Sequence, residues 1–182
     1  MAADEVAAEI QAMAARRVEA SSTLIAVHLF AAGAEQVCAA IEAAGGYLAG
    51  CEERTPPREA FVRFGERYLP ELGREGLDDH ALADGPDEPL ASCAELVYTA
   101  WRGGLLHDGE GAAGLECVDD KSPWMLRIDG DGGLRLNVIP FQAHFERGLR
   151  HYLADLREDA DLLARAERRS ARLAAPLLRR LA

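Results

Sequence analysis

Residues 22–44 read STLIAVHLFAAGAEQVCAAIEAA, a largely apolar stretch with helical spacing. Ser21 or Ser22 is placed to cap a helix at its start, and Gly45-Gly46 is placed to stop it at about Ala44. The apolar positions include Leu24, Ile25, Val27, Leu29, Phe30, Val37 and Ile41. They fall on more than one face, and a helix of that kind lies inside a bundle. The stretch therefore predicts a central helix, with His28 as a buried core residue.

Helical periodicity continues on both sides of this central helix. The predicted helices span residues 3–19, 58–69, 90–106, 140–159 and 160 to about 180. We interpret the charges of the last helix as mostly a solvated face. The stretches 73–88 and 108–122 are rich in glycine and acidic residues, which predicts loops.

The periodicity changes from helical to alternating between residues 124 and 139. The apolar members of the alternation are Trp124, Leu126, Ile128, Leu134, Leu136 and Val138. The glycine-rich stretch 130–133 divides them, as in a β-hairpin with its turn. We read Asp129–Gly132 as part of that turn rather than as a calcium loop. The sequence thus predicts a mainly α fold: a single domain over residues 1–182 with one β-hairpin insertion at about 124–139.

The composition limits the class of protein. The chain has 182 residues, a net charge of −11 and a pI near 4.9, so its surface repels phosphate backbones at long range. That charge argues against unselective coating of nucleic acid but allows a small local site built around arginine. The four cysteines are Cys38, Cys51, Cys93 and Cys117. They lack the CxxC spacing of metal and redox sites, and we interpret Cys38 and Cys93 as small hydrophobic residues.

The expected location follows from two negative features of the sequence. The acidic, amphipathic N-terminus lacks the basic and apolar regions of a secretory signal. The apolar run 23–34 is too short to cross a bilayer and is interrupted by His28 and Gly33. We therefore expect a cytoplasmic protein without a membrane partner.

Two residues of catalytic type lie near the end of a predicted helix, in the stretch Arg102-Gly103-Gly104-Leu105-Leu106-His107. An arginine holds a phosphate through its planar fork, and a histidine moves protons near neutral pH. Together they suffice for metal-independent RNA cleavage. Positions five apart differ by roughly 140° around a helix, so the glycine pair must distort the helix end, or a two-fold partner must supply a second pair. The structural alternative is a salt-bridged surface arginine and a histidine that favours the helix dipole.

Residues 96–110, LVYTAWRGGLLHDGE, resemble the motif region of HEPN-domain proteins, in which Arg-x4-6-His ends a helix of an α-helical, usually dimeric domain. The resemblance covers about 90–160, and 22–70 in helix layout only. It implies a HEPN-like helical bundle with metal-independent endoribonuclease activity, often in toxin–antitoxin or phage-defence settings. Gly103 departs from the pattern, because many active members carry a polar residue directly after the arginine.

On this reading Arg102 and His107 are the catalytic pair, and Tyr98, Asp108 and Glu110 support them. The expected partners are a second copy of the chain, an RNA substrate and an antitoxin protein, with no cofactor and no metal. The first alternative is a non-catalytic HEPN-like dimerisation or interaction module. The second is a metal-dependent phosphohydrolase built on His107-Asp108, which needs further ligands such as His28 or His144.

The chain has two tryptophans. Trp101 and Trp124 are predicted to anchor the core or an interface. Trp101 also stands beside Arg102, where an indole ring could stack a nucleobase.

Overall fold

The computed structural model describes residues 3–50, 55–73, 92–101, 115–128 and 134–181. The predicted mainly α fold with a small β insertion is confirmed. In chain order the helices are α1 (Ala3–Ala26), α2 (Phe30–Ala49), α3 (Pro57–Tyr68), α4 (Cys93–Ala100), α5 (Val138–Glu158) and α6 (Ala160–Leu181), with a 3-10 turn at Pro70–Leu72. The strands are β1 (Leu115–Val118), β2 (Leu126–Ile128) and β3 (Leu134–Asn137). Within these ranges, none of the helices combines the length and the apolar character that a membrane crossing requires.

Helix α2 forms the centre of the bundle, as its apolar pattern predicts. It packs against α1, α3, α5 and α6 and against the edge of the sheet at β1. Its fully buried side chains include Val37, Cys38 and Ile41. Helices α1 and α5 run antiparallel across it, because Asp4 pairs with Arg157 at one end and Ser22 bonds to Gln142 at the other.

The predicted boundary between the first two helices is wrong. Helix α1 continues through Ser21 to Ala26, so neither serine is a cap, and the chain turns at residues 27–29. His28 makes this corner with φ 61°, a left-handed conformation that histidine adopts more readily than bulkier residues do. It is exposed and meets the Phe30 ring edge-on at 5.7 Å, so its prediction as a core residue is also wrong.

The glycine pair at the end of the predicted central helix does not stop it. Helix α2 runs on to Ala49 and ends at Gly50, whose φ of 76° favours glycine. Gly45 instead lies against α3, where a Cβ atom would be 1.9 Å from the carbonyl oxygen of Ala60. Gly45 therefore permits α2 and α3 to cross closely. In the sequence alone, a glycine with this role cannot be distinguished from one that ends a helix.

The sheet has the order β1-β3-β2. Strands β2 and β3 pair antiparallel with Leu126 opposite Leu136, which confirms the strands of the predicted hairpin; its predicted turn lies outside the described residues. Strand β1 was predicted to be loop, and this is wrong. It is only four residues long and pairs parallel with β3, Leu115 opposite Leu134, so no local pattern marks it.

The two C-terminal helices match their predicted ranges closely. Helix α5 begins at Val138, and Pro140, predicted to open it, is its third residue. Proline is tolerated there because the first backbone N–H groups of a helix have no partner within it. Helix α6 is held at mid-length by Glu9, which accepts hydrogen bonds from Tyr47 of α2, at 2.8 Å, and from Ser170 of α6.

A cluster of charged groups fastens the 3-10 turn to α5. The Oε1 atom of Glu71 lies 2.7 Å from Nδ1 of His144 and 2.5 Å from Nη2 of Arg147. Burial alone would raise the pKa of Glu71, but the hydrogen bond from His144 and the charge of Arg147 lower it below its ordinary value of 4.5. The ionised carboxylate therefore stabilises the fold above that ordinary value, and the contribution is lost as the pH falls through the lowered pKa.

We expect Glu71→Gln to lower the free energy of unfolding by about 1 kcal/mol at neutral pH, the upper range for a partly exposed ion pair. Because the wild type loses the same interaction in acid, the gap between the two proteins will close as the pH falls below 4.5. Urea unfolding at a series of pH values measures this gap. The control is Glu19→Gln at an exposed position of α1, which we expect to change little. A gap that stays constant with pH would contradict this account of the Glu71 carboxylate.

Candidate functional site

Helix α4 leads directly to the predicted catalytic arginine and is fixed at both ends. Ser92 begins it, and its Oγ accepts a hydrogen bond from the backbone N–H of Glu95 at 3.4 Å. At the other end Trp101 is 5% exposed, with its ring centre 5.9 Å from that of Phe61 and 5.7 Å from that of Tyr98. The last described residue before Arg102 therefore belongs to the core.

This aromatic cluster settles two predictions. Trp101 is a core anchor, as predicted, but with so little exposed surface it has no open face for a nucleobase, so that expectation is wrong. Tyr98 was predicted to support the catalytic pair. It is half-buried, and its ring centre lies 5.3 Å from that of Phe61. Tyr98 stands three positions before Trp101 on α4, and its supporting role stays a prediction because the catalytic pair lies outside the described residues.

The remaining predicted site residues are Arg102, His107, Asp108 and Glu110, and all of them lie outside the described residues. The segment 102–114 that carries them starts after buried Trp101 and returns at Leu115, the first residue of β1. Leu115 pairs with Leu134 in the sheet. Both flanks of the predicted site are thus attached to the folded core.

The other histidines do not form a metal site among the described residues. His28 lies at the exposed corner between α1 and α2, whereas His144 is engaged with Glu71 and Arg147 on α5. Within the described ranges, no three His, Cys, Asp or Glu side chains are grouped so that they could hold a metal ion.

The described cysteines behave as apolar residues. Cys38 and Cys93 are buried in the core, which confirms their interpretation as small hydrophobic residues. Burial raises the pKa of the Cys93 thiol, and burial with nearby Glu35 and Glu116 raises that of Cys117 to about 12. These two thiols therefore stay protonated at neutral pH and are poor nucleophiles. Cys51 lies outside the described residues.

Trp124 lies in the connection between β1 and β2 and is half-buried rather than a core anchor. Its Nε1 donates to Oδ2 of Asp120 at 3.1 Å, and the guanidinium of Arg127 lies 4.8 Å from its ring centre. The same connection is tied to the start of α5 by Asn137, which is fully buried. Its Nδ2 donates to the carbonyl oxygens of Asp120, at 2.6 Å, and Ser122, at 3.0 Å.

A cleft that the sequence did not predict lies between α1, α2, the start of α3 and α6. Its charged lining residues are Arg17, Glu42, Arg169 and Arg172. The charges of α6 are predicted to be mostly a solvated face, and Arg169 is an exception because its Nε atom is buried. The sequence signal was weak: two arginines three positions apart in an acidic chain. Only the fold brings them to Arg17, which is distant in the sequence.

Comparison with known proteins adds no relative. No family model matches this chain, and neither the curated proteins nor the solved structures gave a match.

Proposed function

We propose that this protein is a metal-independent endoribonuclease of the HEPN type, with Arg102 and His107 as its catalytic pair. The observation that supports the proposal is the placement of the flanks of the motif. Trp101 is buried in the core, and Leu115 begins the first strand of the sheet. The segment 102–114, which carries the arginine and the histidine, is therefore attached to the fold at both of its ends. A catalytic pair needs such support, because small displacements of reacting groups cost large factors in rate.

The chemistry needs no metal. His107 takes the proton from a ribose 2′-OH, or gives one to the departing 5′-oxygen. The 2′-oxygen attacks the adjacent phosphorus, the bond to the 5′-oxygen breaks, and water makes the proton transfer that His107 does not. The products carry a 2′,3′-cyclic phosphate and a 5′-hydroxyl. Arg102 holds the phosphate and stabilises the negative charge that builds on its oxygens. Asp108 and Glu110 orient the pair.

We further propose that the RNA-cleaving site forms between two copies of the chain. Among the described residues four large apolar side chains are unusually exposed: Val27 by 60%, Leu29 by 53%, Ile139 by 47% and, on α6, Leu173 by 46%. The antiparallel arrangement of α1 and α5 brings the corner at residues 27–29 and the start of α5 to the same end of the bundle. Strand β3 runs directly into α5, so this end also holds the sheet to which the motif segment returns. A two-fold contact here would bring two motif segments together.

The net charge of −11 shapes the proposed partners. An acidic surface disfavours unselective RNA binding, so the substrate is a particular RNA, or a partner delivers it. A cytoplasmic ribonuclease of this kind must be inhibited when it is not needed, because it would otherwise cleave RNA of its own cell. An antitoxin protein that covers the paired motif segments would supply it, in a toxin–antitoxin or phage-defence setting.

The test compares the wild type with His107→Ala on total RNA in the presence of EDTA. We expect the wild type to cleave and to leave 2′,3′-cyclic phosphate ends, and the variant to be slower by about 10² to 10⁴-fold. The matched control is His151→Ala, which removes an exposed histidine from α5 and should keep full activity. Light scattering on the same samples measures whether the protein is a dimer.

Two results would contradict the proposal. A folded, dimeric wild type that cleaves no RNA is the result expected of a non-catalytic interaction module. Activity that disappears in EDTA, together with a bound metal in the purified protein, is the result expected of a metal-dependent phosphohydrolase.

A further inference from the structure

The cleft between α1, α2, the start of α3 and α6, which we call the arginine cleft, has a volume of about 410 Å³. Arg17 reaches it from α1, whereas Arg169 and Arg172 reach it from successive turns of α6. Glu42 of α2 is the one acidic residue among the lining residues that the structure describes. Its volume lies within the range of sites that bind small molecules.

The charge of the arginine cleft is opposite to that of the chain. The described lining residues carry three guanidinium groups and one carboxylate, although the protein as a whole carries a net charge of −11. Positive groups in one concave site repel each other, because the low-dielectric walls reduce screening by water. A bound anion offsets that repulsion by its attraction to each of them.

Arg169 carries the strongest indication of a ligand. Its Nε atom is buried and has no hydrogen-bond partner in the described part of the chain, and a buried donor of this kind costs free energy until it is paired. Gly46 of α2 lies beneath it, so that a Cβ atom there would be 3.4 Å from both Nε and Nη2. The guanidinium of Arg169 is thus held against the α2 wall of the cleft that it lines.

A neighbouring groove, lined by residues of α2, α3 and α6, serves as a comparison because its arginine side chains have partners within the protein. Arg63 and Arg67 line that groove and pair with Glu59 and Asp155. Arg165, which also lines it, donates to the carbonyl oxygen of Leu48 at 3.1 Å. By contrast, neither Arg169 nor Arg172 forms an ion pair within the described ranges. The packing of α6 against α2 therefore does not explain the positive charge of the arginine cleft.

The lining of the cleft indicates the class of ligand. Its apolar lining residues are small: Ala39, Ala43, Gly46, Gly50, Pro57 and Ala60. No aromatic ring is among the lining residues that the structure describes, so nothing there would stack on a base or another flat ring. Helix α3 begins at the rim, and the positive end of its dipole adds to the field of the arginines. Compact groups with more than one negative charge fit such a site best, and arginine binds phosphate through two parallel hydrogen bonds.

We propose that the arginine cleft binds the phosphate group of a small phosphorylated ligand, held by Arg169 together with Arg172 and Arg17. The proposal rests on residues outside the motif segment and does not depend on RNA cleavage.

Calorimetric titration with inorganic phosphate and with pyrophosphate tests the proposal on the full chain. We expect saturable binding of one anion per chain, tighter for pyrophosphate because it offers more oxygens to the three guanidinium groups. Potassium chloride at the same ionic strength should not compete. No saturable binding of either anion to the folded protein would overturn the proposal.

Two variants and a matched control locate the site. Arg169→Gln and Arg172→Gln should each weaken pyrophosphate binding by about tenfold or more, since each removes charge-assisted hydrogen bonds. Arg172 is exposed, so that variant will fold even if the half-buried Arg169 proves necessary for packing. Arg150→Gln makes the same change of charge at an exposed position of α5 outside the cleft and should bind within about twofold of wild type. An equal loss in all three variants would show a general effect of charge and overturn the site.

Discussion

Replacing Gly45 with alanine will destabilise the protein severely, whereas the same replacement at Gly46 will not. A methyl group on Gly45 would lie 1.9 Å from the carbonyl oxygen of Ala60 and 2.4 Å from its carbonyl carbon. Both atoms belong to the backbone of α3, so no side chain can move aside, and the two helices must separate. We expect a loss of about 3 kcal/mol or more in the free energy of unfolding.

The adjacent glycine is the matched control because it has the same helical environment and a different neighbour. A Cβ atom on Gly46 would lie 3.4 Å from the guanidinium of Arg169, an ordinary contact with the end of a long side chain. Alanine favours a helix interior over glycine by about 1 kcal/mol, so Gly46→Ala should leave stability unchanged or raise it. Urea unfolding of both variants measures the contrast. Equal stability of the two would contradict the close crossing of α2 and α3.

Asn137→Asp is the second change with a large expected effect. The Asn137 side chain is fully buried, donates to two carbonyl oxygens and accepts from the backbone N–H of Asp120 at 3.2 Å. Aspartate has the same shape, but it would place a buried carboxylate oxygen against those two carbonyl oxygens. We expect a loss of about 3 kcal/mol at neutral pH, since the variant loses two donors and buries a charge whose remaining partner is the backbone N–H of Asp120.

The pH dependence of this variant gives a second measurement. Burial and the facing carbonyl groups will raise the pKa of the introduced carboxyl group above its unfolded value. Its protonated form regains a donor, so the destabilisation relative to wild type should shrink as the pH falls. Thermal unfolding at neutral and acidic pH tests this, with Gln11→Glu on the exposed face of α1 as the control. A variant as stable as wild type at neutral pH would show that the amide does not hold the connection between β1 and β2.

Local patterns predicted the parts of the fold that local interactions determine. The alternation around Leu126 and Leu136 predicted the antiparallel strands, and helical spacing predicted both C-terminal helices. Strand β1 was missed because its partner in β3 lies 19 residues further along the chain, and four residues give no measurable period. The corner at His28 was missed for a related reason: apolar residues continue on both sides of this histidine, so the sequence does not distinguish a turn from a single polar position within one helix, and only the backbone angle marks the turn.

The two candidate sites differ in how far the sequence reaches them. The pair Arg102 and His107 is close in the sequence, so a motif could suggest it, and it stays a prediction because both residues lie outside the described ranges. The arginine cleft joins Arg17 to Arg169 and Arg172, from opposite ends of the chain. No local window contains these residues, so the cleft becomes visible only once α1 and α6 are packed on α2.

The hydrogen bonds from Tyr47 and Ser170 to Glu9 have a consequence for how the protein is made. They join the first helix and the last one across α2, so the surroundings of α2 are complete only after α6 has left the ribosome. Until then the nascent chain presents the apolar faces of an unfinished bundle to the solvent. Such a chain invites chaperone binding during translation, and ribosomes that stall before Ser170 would release products prone to aggregation.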